Sequence, residues 1–140
     1  MSRYVFYLLF ALLLALSIGC ASVGEKAKTP FSQEFSLRIG QSEQIGDAEL
    51  EIKFEKVTED SRCPKGATCI WAGQVSCEVL ITDKKYSSYL TLTEPGLPNF
   101  PNQTIYKSYR LVYHVQPYRE LSKKISAEEY RLVLIIEKLQ

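Results

Sequence analysis

The residues best suited to chemistry in this 140-residue chain are four cysteines, a single histidine and one dense polar segment. Five residues separate Cys63 from Cys69, and Pro64 and Gly66 among them suit a tight turn. Cys77 shares strand parity with Val75, Val79 and Ile81, so its thiol is expected to point inward as a small hydrophobe. Three thiols apart from Cys20 allow three single pairings, of which Cys63–Cys69 with Cys77 unpaired is preferred. Such a bridge would contribute about 2 kcal/mol on the chain-entropy estimate. The Cys-x-x-Cys spacing of redox sites is absent, and the closely spaced ligand pairs of many tetrahedral zinc sites are missing too, since five residues separate the cysteines and His114 is the one histidine. No metal and no cofactor are expected.

Cys20 belongs to a different pattern. The N-terminus carries Arg3, then an apolar run from Tyr4 to Ile18, then Gly19-Cys20. Fifteen residues of helix reach about 22 Å, short of the roughly 30 Å of a hydrocarbon core. A positive residue, a short apolar stretch and small residues at the cut describe an export signal. Leu16-Ser17-Ile18-Gly19-Cys20 resembles the lipobox of bacterial lipoproteins, with Ser17 where leucine is usual. That likeness implies cleavage before Cys20, lipidation of its thiol, and anchoring in the cell envelope facing away from the cytoplasm. In a Gram-negative cell the outer membrane is the expected address. Disulfides persist in that compartment.

The polar segment runs Asp60-Ser61-Arg62-Cys63-Pro64, then Cys69-Ile70-Trp71-Ala72-Gly73. It resembles a group of small exported bacterial proteins sharing Asp-Ser-Arg-Cys-Pro, a second cysteine and Trp-Ala-Gly before a strand. The likeness extends over Gln116-Pro117-Tyr118 and Glu129-Tyr130, and from about Gly40 to the C-terminus. It implies one small exported β-domain and assigns no activity. Two readings of Asp60, Ser61 and Arg62 compete. They form a recognition loop, or they form an Asx-type turn with an Arg–carboxylate clasp that orders the loop. The clasp is preferred, with Trp71 expected as a core plug beneath the loop in preference to a ligand platform within it.

Catalysis finds little support. His114 falls on the strand face opposite Tyr113 and Val115, so exposure or a sheet rim is expected. One histidine could serve a Ser-His-Asp set, but no Gly-x-Ser-x-Gly elbow is present. The neighbouring carboxyls Glu59-Asp60 and Glu128-Glu129 read as solvated surface. Among the tyrosines, parity singles out Tyr106 and Tyr118 as the exposed ones, candidates for a sugar or protein platform.

The elements that must position these residues are strands. Apolar residues alternate through Phe35–Ile39, Leu50–Phe54, Val75–Ile81 and Tyr109–Val115. Asp83-Lys84-Lys85 reads as a turn into Tyr86–Thr93, and the apolar run from Tyr130 to Glu137 suits a central strand. Three prolines make Glu94–Gln103 an irregular loop. Ser126 and Glu129 have capping-box spacing for at most a short helical turn. The expectation is an all-β domain: an antiparallel sandwich or small barrel of six or seven strands over 34–140. It follows a signal peptide over 1–19 and a lipidated, flexible tether over 20–33.

Arg3 is the one charged residue of the first nineteen, so 16 basic residues then face 16 acidic ones. A balanced surface gives no electrostatic case for nucleic acid. The expected function is that of a membrane-anchored envelope lipoprotein. Its domain binds an envelope protein or glycan, or assists assembly, without catalysis. The alternative is a small hydrolase built around His114.

Overall fold

A computed structural model describes residues 28–47, 49–96 and 102–140. Cys20, the signal and most of the expected tether lie outside the described residues. The described residues form nine strands in chain order: β1 (Lys28–Thr29), β2 (Glu34–Arg38), β3 (Ser42–Ile45), β4 (Leu50–Asp60), β5 (Gln74–Asp83), β6 (Tyr86–Pro95), β7 (Gln103–Tyr106), β8 (Tyr109–Gln116) and β9 (Arg131–Lys138). They form a five-stranded sheet, β1-β3-β4-β5-β6, and a four-stranded sheet, β2-β9-β8-β7. The architecture is a β-sandwich and not a closed barrel.

Period-two alternation accounts for the core. Leu50, Ile52 and Phe54 of β4 and Cys77, Val79 and Ile81 of β5 point inward from the first sheet. Leu111 and Val115 of β8 with Leu132, Leu134 and Ile136 of β9 meet them from the second. Strand β9 lies between β2 and β8, the central place its apolar run called for. Two tight hairpins set the register. Asp83 pairs with Tyr86 around Lys84-Lys85, and Tyr106 pairs with Tyr109 around Lys107-Ser108. Lys84 and Lys107 both adopt positive φ, as two-residue hairpin turns matching the strand twist require. A single 3₁₀ turn, Ala127–Glu129, follows the Ser126 capping box.

Three features depart from the sequence expectation. Strands β1, β3 and β7 are additional, and each is short and largely polar. Residues 28–33 belong to the domain and not to a tether. Lys28 and Thr29 pair in parallel with β3, Phe31 stacks on Tyr109 at 5.9 Å, and the Ser32 amide donates to the Ile136 carbonyl. Strand β6 extends through Glu94 and Pro95, into the segment expected to be irregular.

The two sheets are also tied together at one edge. The Tyr113 hydroxyl donates to the Thr93 carbonyl at 2.7 Å, His114 meets Glu94, and Tyr106 bonds Ser88. Side chains from β7 and β8 thus tie the edge strand β6 to the second sheet, one of them on a β6 carbonyl.

Candidate functional site: a bridged loop seated on a buried arginine

The loop from Asp60 to Gly73 joins β4 to β5 at one end of the sandwich. Its two legs are zipped together by the Ser61 amide on the Gln74 carbonyl and the Cys63 amide on the Ala72 carbonyl. Cys63 and Cys69 form the expected disulfide, and Cys77 is a buried free thiol. Gly73 has φ +70, and a Cβ there would collide with the Ser61 carbonyl, so the legs close only on glycine.

Arg62 fills the space beneath this loop, fully buried. Its Nε and one terminal nitrogen donate to the two carboxylate oxygens of Asp60, at 2.9 and 2.7 Å. The guanidinium also donates to the Val115 carbonyl and the Pro117 carbonyl, both at 2.9 Å. The Tyr118 ring lies 4.9 Å from the guanidinium carbon. The Tyr130 hydroxyl donates to Asp60 at 3.0 Å, and the Arg62 amide closes an Asx turn on the same carboxylate. Arg119 caps the arrangement through the Asp60 and Arg62 carbonyls. Every polar atom of the clasp has a partner, the condition under which a buried ion pair is tolerated.

The electrostatics follow from that packing. Burial alone would raise the Asp60 carboxyl, but the bonds and charge of Arg62 outweigh it and hold the carboxyl below its ordinary range. Burial likewise opposes the charge on Arg62, and Asp60 reverses the shift. Burial, together with the bond to Asp60, pushes the Tyr130 hydroxyl up to about 12. Both charges of the pair are therefore fixed through the neutral range.

The expected plug was Trp71, and the structure corrects this. Trp71 is 81% exposed and Ile70 95% exposed at the loop tip. The space below already holds the Arg62 guanidinium, its hydrogen-bond needs met by one carboxylate and two carbonyls, so no room remains for an indole. Asp60 and Arg62 face inward, whereas Ser61 is exposed and bonds Glu59 and the Gln74 carbonyl. Tyr106 and Tyr118 are half-buried, held by Ser88 and by the Gly96 carbonyl. The most exposed tyrosines are instead Tyr86 and Tyr89, on β6.

Compared with protein-family models, curated proteins and solved structures, the chain has no significant match. The likeness at Gln116-Pro117-Tyr118 and Glu129-Tyr130 was the available signal for the rest of the clasp. Glu94 had none. It is buried, and its carboxylate accepts from the Val115 amide and meets His114 Nδ1, each at 2.7 Å.

His114 and Glu94 are paired as a base and its orienting carboxylate would be in a hydrolytic set. Such a set also requires a nucleophile within reach of the ring, and Glu94 is the ring's described partner. Among the described residues no three His, Cys, Asp or Glu side chains converge as a metal site would require. The pair has a measurable consequence. The Glu94 hydrogen bond raises the His114 pKa above 6.5, against burial and the Arg62 charge. Its stabilisation is fully present below the unfolded value and is lost as pH rises through the folded one. Urea midpoints should fall modestly between about pH 6 and pH 8 because His titrates in that window. His114→Gln should remove that slope; an unchanged slope would assign it to other groups.

Proposed function

We propose that this chain is a lipid-anchored envelope protein whose β-sandwich is a non-catalytic binding module, contacting an envelope protein through Ile70 and Trp71. One observation carries the reading: two large apolar side chains stand in water on a loop fixed by a disulfide, a two-leg zipper and a buried arginine. A chain that tolerates such exposure at one rigid tip has reason to keep it, because aromatic anchors dominate protein interfaces. A preformed loop also avoids the ordering cost that a mobile one incurs on binding. The lipobox-like Gly19-Cys20 and the resemblance to small exported domains support the envelope address.

Crosslinking in the native envelope tests both parts. A photoreactive group at Thr68, beside the tip, should capture a discrete protein. Trp71→Ala should weaken that capture by roughly 2 kcal/mol or more while leaving the unfolding midpoint unchanged. Undiminished capture by the variant would refute the tip as the contact. Mass spectrometry of the same preparation should find an acylated Cys20, and an unmodified N-terminus elsewhere would defeat the anchor alone.

A further inference from the structure

On the flank of the loop, away from its apolar tip, an open cleft of about 590 Å³ lies between Lys65 and Arg131, floored by Gln116, Pro117 and Tyr118. His114 and the Lys123–Glu129 ion pair complete its walls. His114 is already opposed by Glu94, and Lys123 by Glu129. Lys65 and Arg131 are not opposed: among the described residues neither meets a carboxylate. The Lys65 ammonium lies 5.8 Å from the Tyr118 ring centroid, and its backbone is pinned by a bond from its amide to the Arg119 carbonyl. Arg131 spends one terminal nitrogen on the Glu128 and Tyr130 carbonyls, at 2.6 and 2.8 Å, which fixes the guanidinium and leaves its other donors available. Gln116 pairs with Arg131 across β8 and β9, so its exposed amide stands beside that guanidinium.

Lys65 and Arg131 thus line one cleft in which the Glu129 carboxylate is already engaged by Lys123, so its described lining carries a local excess of positive charge. We propose that this cleft binds a phosphate monoester, with Lys65 and Arg131 as its charged contacts and Gln116 as a neutral donor. A phosphate group supplies about −1.5 to −2 charges near neutral pH and three acceptor oxygens, which matches two cations on one group. A single carboxylate would leave one cation unopposed. The guanidinium fork favours a planar two-point contact with such an oxyanion, and the lysine supplies a point charge. The site shares the loop with Trp71 but not its tip, so it stands or falls separately from the proposed protein contact.

Calorimetric titration of the full chain in non-ionic detergent tests the inference. Glucose 6-phosphate in the buffer probes a soluble phosphate ester. Short-chain phosphatidic acid mixed into the micelles probes a lipid headgroup. Binding of either supports the site and identifies its source, and glucose should give no heat. Lys65→Gln, an exposed substitution, and Arg131→Gln should each weaken binding by about tenfold or more. Added salt should weaken it further, and Trp71→Ala should leave it unchanged. Binding of neither phosphate, or equal affinity in Lys65→Gln and the parent, overturns the proposal.

Discussion

Replacing Arg62 with methionine is expected to cost about 3–5 kcal/mol of folding stability, the usual penalty for removing one member of a buried ion pair. The loss has identifiable parts. The Asp60 carboxylate stays in a protein interior with the Tyr130 hydroxyl and the loop amide as its remaining donors. The Val115 and Pro117 carbonyls lose theirs as well. Urea unfolding should show the fall in midpoint. Adding Asp60→Leu should recover part of it, because the stranded charge goes with the carboxylate. Arg62→Lys should not rescue, since an ammonium cannot reproduce a planar fork meeting one carboxylate and two carbonyls. The pair also contributes to acid sensitivity. Its depressed Asp60 carboxyl contributes stability that is present above 3.8 and is lost as pH falls through the lower folded value. A loss below about 1 kcal/mol, the range of surface ion pairs, would show that the clasp does not hold the loop.

The second large effect belongs to the disulfide. Cys63 and Cys69 lie six positions apart, so the bridge closes a short loop whose chain-entropy contribution is about 2 kcal/mol. Cys63→Ser, or reduction of the parent protein, should lower stability by that amount. The clasp beneath lies outside the bridged ring and should persist, so the native fold survives. The proposed partner contact should weaken because Ile70 and Trp71 lose their fixed presentation. Equal stability of oxidised and reduced protein would transfer the task of ordering the loop to Arg62 alone. The two perturbations therefore separate what seats the loop from what shapes its tip.

Strands β2, β4, β5 and β8 were legible because apolar residues alternate along them, β6 because the turn Asp83-Lys84-Lys85 leads into it, and β9 because its apolar run is nearly continuous. Strand β3, Ser42-Glu43-Gln44-Ile45, buries Ile45 fully and leaves the other three half-exposed, so it carries no period. Strand β1 is two residues, Lys28-Thr29, held beside β3 by the Thr29 hydroxyl on Glu43 and the Gly46 amide on the Thr29 carbonyl, contacts invisible to local pattern. The disulfide and the inward Cys77 followed from spacing and parity. The error at Trp71 has a physical cause. Side-chain type alone puts an indole inside and a guanidinium outside, and that ranking fails when the guanidinium finds all its acceptors in the interior. Those acceptors are the Val115 and Pro117 carbonyls, more than fifty positions along the chain. Glu94 escaped notice for the same reason, because its partners, His114 and the Val115 amide, come from the opposite sheet.

Arg62 binds backbone that is synthesised 53 and 55 residues after it. A growing chain can therefore complete β4, the disulfide and β5 while the guanidinium still lacks half its acceptors. The loop reaches its seated form only after β8 has joined the second sheet and Tyr118 has closed over it. The seated loop is thus a mark of completion, since its last bonds form only in a finished domain.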